Sequence, residues 1–230
     1  MLGYTSPERV PVSFSFDGLR SEGLSSEFKP RAKSFVTDSA VSITEITAVA
    51  AKGIVLTARE TKYADFPVVE WCADMSDFGK TESDILSDFA VTSVLKGSEP
   101  VLIYGSGDTR NDGLFRRFSK ELNEKTVITP DFCRGADGAS PFMTLIFKEY
   151  SVKMGIGWPG KWKMAFEPTG EGVRFTLSQD RFCTRLRPGE TMRTPSLTAL
   201  FYEGDETYGT NLWRRFFIKH ILPTGKNGEK

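Results

Sequence analysis

Apolar and polar residues alternate with a period of two in run after run of this chain, which confines it to a fold built from strands with one face buried. Val69, Trp71, Ala73 and Met75 share one side of the run from Phe66 to Met75, and Val68, Glu70, Cys72 and Asp74 share the other. Ile54, Leu56 and Ala58 repeat the pattern, as do Trp162, Met164 and Phe166. On a helix the same residues would scatter over several faces. The densest apolar stretch, Val152 to Phe166, is interrupted by Trp158-Pro159-Gly160 and reads as a β-hairpin. Pro159 suits the second position of a type II turn, and Gly160 the positive φ that follows. Trp158 and Trp162 bracket this turn; a packed corner is the ordinary reading of such a pair, and a platform for a sugar ring or partner domain is the alternative.

Turn clusters set the remaining strand boundaries. Val12, Phe14 and Phe16 alternate with Ser13 and Ser15 and run into Asp17-Gly18, an opening strand and hairpin. Residues 19 to 40 predict weak strand and loop anchored by Phe28 and Phe35. Ile43–Ala50 and Ile54–Thr61, joined through Lys52-Gly53, predict an antiparallel pair. Strands follow over Phe66–Met75, Ile85–Leu95 and Val101–Tyr104. The polar segment from Gly105 to Gly138 is long for a loop in a compact domain, so it is either functional or hides elements that the pattern does not reveal. Beyond Pro141, strands are expected over Phe142–Phe147, Gly172–Leu177 and Thr194–Glu203. A helix from Thr210 to Ile221, capped by Gly209-Thr210-Asn211, carries a broad apolar stripe of Leu212, Trp213, Phe216, Phe217, His220 and Ile221 opposite Arg214, Arg215 and Lys219. Pro223 and the polar residues after it end the helix and begin a linker. The pattern describes an all-β chain, a β-sandwich with one C-terminal α-helix.

At 230 residues the chain is long enough to bury a substantial core. Thirty basic side chains balance thirty acidic ones, so no net field favours nucleic acid or an anionic membrane, and neither is expected as a partner. The single histidine, His220, leaves no material for a His-based triad or a His-rich metal site. Cys72, Cys133 and Cys183 lie far apart; they predict neither a disulfide framework nor a zinc site, and each is expected as a small buried apolar residue. No cofactor is implied. No signal peptide is legible at the start, which predicts a cytoplasmic chain if that start is the natural one and a periplasmic or secreted one if it is truncated.

Near pairs of carboxylates occur at Asp84 and Asp88, Asp131 and Asp137, and Glu203 and Asp205, but their turn contexts predict capping or solvated groups rather than an acid and a nucleophile. His220 falls on the apolar face of the helix and is expected to pack or cap. Gly105-Ser106-Gly107 lacks the spacing of a phosphate loop, and Ser106 and Ser140 lack a nucleophile elbow. The residues alone describe a sandwich without a self-contained catalytic set.

Four segments, in order, resemble the N-terminal domain of melibiase-like α-galactosidases of glycoside hydrolase family 36: Tyr63-Ala64-Asp65-Phe66-Pro67-Val68-Val69-Glu70-Trp71; Gly155-Ile156-Gly157-Trp158-Pro159-Gly160-Lys161-Trp162; Arg187-Pro188-Gly189-Glu190 with Arg193-Thr194-Pro195; and Gly204-Asp205 with Asn211-Leu212-Trp213-Arg214-Arg215. The similarity spans about residues 40 to 223. It implies a large β-sandwich, or supersandwich, over residues 1–223 and a linker start at 224–230 that leads to a (β/α)8 catalytic barrel absent from this chain. By the same resemblance, the chain is a non-catalytic domain that braces the barrel and shapes the rim of the substrate cleft. Trp158, Trp162, Trp213, Arg214 and Arg215 are then the interface candidates, and Arg134, Asp137 and Ser140 the candidates for the rim. The Asp-Tyr-Arg type motif of some tetrameric relatives has no counterpart here, so no contribution to a neighbour's sugar pocket carries over; oligomerisation would come through the parent enzyme. Two rivals remain: an autonomous binding module for galactose-type oligosaccharides that uses exposed indoles, and a complete small hydrolase with its acids among the Asp pairs.

Overall fold

In a computed structural model the chain is described over residues 12–16, 19–21, 31–36, 40–49, 53–108, 114–223 and 225. The expected turn at Asp17-Gly18, the Phe28 anchor, Lys52 and nearly all of the linker start lie outside these residues. Among the described residues seventeen strands precede one α-helix: β1 Val12–Phe16, β2 Leu19–Ser21, β3 Arg31–Val36, β4 Val41–Val49, β5 Ile54–Tyr63, β6 Val68–Asp77, β7 Leu86–Lys96, β8 Val101–Gly105 and β9 Arg117–Glu121. They continue with β10 Thr126–Ile128, β11 Phe142–Ile146, β12 Ser151–Gly157, β13 Trp162–Thr169, β14 Gly172–Gln179, β15 Cys183–Thr184, β16 Thr191–Arg193 and β17 Ser196–Tyr202, followed by α1 Glu206–Phe216.

The strands form two antiparallel sheets. The smaller follows the order β10-β13-β14-β7-β1-β2, with β15 also paired to β7; the larger follows β3-β4-β5-β6-β17-β12-β11-β8-β9, with β16 also paired to β6. Their inner faces meet in one core, in which Phe14, Phe89, Met164, Phe166 and Phe175 of the smaller sheet join Leu56, Trp71, Met75, Leu145, Met154 and Leu197 of the larger. The alternation in sequence is the alternation of burial here: Val69, Trp71, Ala73 and Met75 are buried on β6, and Trp162, Met164 and Phe166 on β13. The all-β sandwich with a terminal helix is the architecture observed.

The stretch from Val152 to Phe166 is not a hairpin. β12 pairs with β11 and β17 in the larger sheet, whereas β13 pairs with β10 and β14 in the smaller, so Trp158-Pro159-Gly160 carries the chain from one sheet to the other. Gly160 accordingly does not take the positive φ of a type II turn. A turn of that type does occur where Glu190 N donates to the Arg187 carbonyl at 2.9 Å and Gly189 sits at φ 81°. The Gly105–Gly138 segment is less irregular than its composition implies: β9 extends the edge of the larger sheet and β10 that of the smaller. Cys133 and Cys183 are exposed and Cys72 is half-buried, against the expectation of three buried cysteines; Cys72 accepts from Arg193 Nε at 3.4 Å on the outer face of β6.

The helix begins four residues earlier than its sequence suggests. Asp205 is the N-cap, its Oδ1 accepting from Tyr208 N at 2.7 Å, and Gly209 and Thr210 lie inside the helix. Glu206 in the first turn and Arg214 and Arg215 in the last oppose the helix dipole favourably. After Phe216 the chain widens into a single π-helical turn, Phe217–Ile221, closed by Leu222 N donating to the Phe217 carbonyl at 2.8 Å.

Candidate docking surface and the residues around it

The outer face of the larger sheet carries α1, and the local sequence explains the seat. Val68, Leu200 and Tyr202 point outward from β6 and β17 and form a second apolar cluster with Trp213 and Phe216 of the helix. Gly155 on β12 leaves room for the Trp213 indole: a Cβ there would stand 2.9 Å from Cζ2. Gly209 does the same for the Tyr202 ring, which a Cβ would meet at 2.2 Å. The broad apolar stripe is therefore covered in part by the chain's own sheet. Phe216 is fully buried and Trp213 is 9% exposed.

The π-turn aims His220 back at the β5–β6 connection. Its ring lies 4.7 Å from that of Tyr63 and 5.6 Å from those of Phe66 and Phe216, and Nε2 is 3.0 and 3.1 Å from the two oxygens of Asp65. Lys219 Nζ adds an ion pair to Asp65 at 2.6 Å. Burial acts to raise the Asp65 pKa, but the hydrogen bonds from Lys219 and His220 outweigh it and hold the carboxyl below its ordinary value. His220 is thus a packed, hydrogen-bonded side chain in the aromatic cluster that anchors the helix end. What the helix leaves uncovered is Tyr208 near its start and Ile218, Ile221 and Leu222 at its end, beside exposed Arg214 and Arg215.

The other candidates separate. Trp162 has no exposed surface: it is enclosed in the core, and its Nε1 donates to the Gly135 carbonyl at 2.6 Å. Trp158, half-buried, packs against the same core from the sheet crossing. Arg134 and Asp137 pair with one another, Nη2 to Oδ2 at 3.0 Å, and this contact raises the guanidinium pKa. Gly135 N donates to the Pro159 carbonyl at 2.8 Å, so the loop that carries the pair is clamped to the crossing. Ser140 stands apart from that pair; its Oγ accepts from Phe142 N at 3.2 Å, and it lines a pocket of about 190 Å³ with Phe115, Arg116, Arg117, Lys153 and Glu206. Arg117 is ion-paired to Glu206 across that pocket. Burial lowers the Lys153 pKa, reinforced by Arg117 and Arg214 and opposed by Glu206. Phe115, at φ 52° and 72% exposed, holds its ring outward from a strained backbone.

The paired aspartates do not assemble a catalytic couple. Asp205 caps the helix, Asp88 accepts from Ser87 Oγ at 2.9 Å, and Asp137 is held by Arg134. Glu149 and Glu203 do line a common groove, but Glu149 is held below the ordinary carboxyl range by hydrogen bonds from Ser98, the reverse of what a glycosidase's general acid requires. No described helix is long and apolar enough to cross a membrane.

No family model and no curated protein matches the sequence. Solved structures do match. The α-galactosidase from Lactobacillus brevis superimposes with a TM-score of 0.71 at 14% identity over 92% of this chain. The chain shares the β-sandwich fold of the matched third of that enzyme. The GH36 α-galactosidase AgaA from Geobacillus stearothermophilus gives 0.67 at 15% identity over 94%, and the galactosidase domain of the α-galactosidase-sucrose kinase AgaSK gives 0.64 at 12% over 94%. The chain spans 31%, 33% and 30% of those three chains, so about two thirds of each has no counterpart in it. Sequence identity this low carries the fold alone, and it agrees with the resemblance read from the four segments.

Proposed function

We propose that this chain is the non-catalytic N-terminal β-sandwich of an α-galactoside hydrolase, and that it braces a (β/α)8 catalytic barrel and shapes the rim of its substrate cleft. The observation that carries this reading is the near-complete fold match of the chain to only about a third of each α-galactosidase. Residues 1–223 are the sandwich, and the chain after Pro223 leads to the barrel. The uncovered end of the helix supports the same reading. Ile218, Ile221 and Leu222 leave apolar surface in water next to Arg214 and Arg215, which suits an intramolecular domain contact with an apolar centre and charged rim. Trp213 acts behind that surface, holding the helix to the sheet, and Trp162 stiffens the crossing beneath the Arg134–Asp137 loop. Arg134, Asp137 and Ser140 belong to the face offered to the cleft.

The chain alone is expected to give no hydrolysis of p-nitrophenyl α-galactoside, and sustained turnover proportional to protein would overturn the reading. In the longer parent enzyme, Ile218→Asp with Ile221→Asp is expected to lower thermal stability and activity together, while the same pair leaves the melting of the 230-residue chain nearly unchanged. A parent enzyme indifferent to the pair would remove the helix end from the contact.

A further inference from the structure

Beside α1, at one end of the outer face of the larger sheet, lies a groove of about 590 Å³ walled chiefly by Glu149, Tyr150, Phe201, Glu203, Tyr208 and Leu212. Its floor is rigid. The Tyr150 ring packs against Phe147 at 5.1 Å and Phe201 at 6.2 Å, tilted about 30° from each, and its hydroxyl donates to the Lys96 carbonyl at 2.8 Å. Glu149 is oriented as firmly, with Oε2 accepting from Ser98 N at 3.0 Å and Oε1 from Ser98 Oγ at 2.6 Å. On the helix side Tyr208 is 49% exposed, and the Glu203 carboxylate, also exposed, makes no hydrogen bond or ion pair with the described residues.

We propose that this groove binds a short neutral oligosaccharide of pyranose rings. Such a ligand offers apolar C–H faces to stack on Tyr150, Phe201 and Tyr208, and hydroxyl donors for two carboxylates that have acceptor lone pairs to spare. The volume falls within the roughly 300–1,000 Å³ of small-ligand sites, and a fixed floor with a fixed acceptor keeps the ordering cost of binding small. A cationic peptide is the competing occupant, because two carboxylates and no Lys or Arg line the groove. The sugar is favoured because Ser98 donates once to each Glu149 oxygen and leaves each a further lone pair set to accept a hydroxyl, and because the floor is broad and aromatic rather than a cage around a point charge. The platform is thus not the Trp158–Trp162 pair, one of which is sealed in the core. The inference stands apart from the docking reading, which uses the other end of the helix.

The test is titration of the full 230-residue chain with raffinose, with maltotriose and with tetralysine, followed by nitrogen–proton correlation NMR. The expected result is saturable movement of the amides of Glu149, Tyr150, Phe201, Glu203 and Tyr208 with at least one trisaccharide. Tyr208→Ala and Glu203→Gln, both at exposed positions, are expected to weaken it roughly fivefold or more, and Trp158→Ala to leave it unchanged. Saturation by tetralysine alone, movement indifferent to both groove variants, or no saturation by either sugar up to its solubility limit would each overturn the proposal.

Discussion

Phe216→Ala separates two accounts of the terminal helix: one in which the sheet holds it, and one in which only an absent neighbour would. Phe216 has no exposed surface, and its ring lies 4.9 Å from Tyr63, 5.7 Å from Phe66 and 6.3 Å from Trp213, above Val68 and Leu200. Truncating a fully enclosed phenylalanine costs about 3–5 kcal/mol when the cavity does not collapse. The cluster is a satellite of the main core, so that cost falls on the docking of α1 rather than on the sandwich, and the helix opens locally before the sheets do. At about 1.4 kcal/mol per factor of ten, amide protection across 206–221 is expected to fall by roughly 10²-fold to about 4 × 10³-fold in hydrogen exchange. Peptides covering β13 and β14 should keep theirs. Ile218→Ala, on the exposed side, is the control and should change little. Unaltered protection at 206–221 in Phe216→Ala would refute the argument that the sheet itself seats the helix.

Three further outcomes follow from the same contacts. Asp65 is held below its unfolded pKa, so its tie to Lys219 and His220 contributes stability above about pH 4 and loses it as pH falls through the lower folded value; the melting temperature of Asp65→Asn should therefore lie below that of the parent at pH 6 and converge with it by about pH 2. Glu70 is shifted the other way, upward, by burial on the outer face of β6, with Arg193 and Thr198 opposing; because its charged form is the one penalised, Glu70→Gln is expected to raise the melting temperature at pH 7, with the gain fading as pH falls through the raised folded value and gone by about pH 4, where the unfolded carboxyl protonates as well. Trp162→Phe keeps most of the packing but leaves the Gly135 carbonyl without its donor, at a cost of about 1–3 kcal/mol and roughly 2–4 °C of melting temperature per kcal/mol, read by calorimetry.

The sequence carried the strands through burial, and it failed where burial does not decide. A strand with one face in the core must alternate, so β5, β6 and β13 were legible residue by residue. Strand, turn and strand look alike whether the chain folds back on itself or crosses between sheets. The crossing at Trp158-Pro159-Gly160 is set by remote partners, β17 for β12 and β14 for β13, which no local pattern contains. β9 was missed for a different reason: Arg117, Phe118 and Glu121 are exposed on an edge strand, where charge guards against further pairing and there is little core to signal. The helix start was displaced because Gly209 resembles a breaker, whereas it is a glycine because the Tyr202 ring fills the space of its side chain.

The same logic governs the two surfaces that matter for function. The helix end was legible as a docking element from its apolar stripe, but how much of that stripe the chain covers itself depended on Val68, Leu200 and Tyr202, more than a hundred residues of sequence apart at their extremes. The groove beside the helix left no trace at all, because its walls come from the β11–β12 turn, the end of β17 and the first turns of α1, with no spacing that repeats. A motif search reads contiguous residues, and a site assembled from chain crossings has none. Its acceptors and rings become a candidate site only when Ser98 is seen to fix Glu149 and Lys96 to fix Tyr150. Loosening that second layer should therefore cost sugar affinity without touching a sugar contact: Ser98→Ala frees one oxygen of Glu149, and a chain that keeps full trisaccharide affinity after that change would show that the carboxylate's orientation is irrelevant to binding.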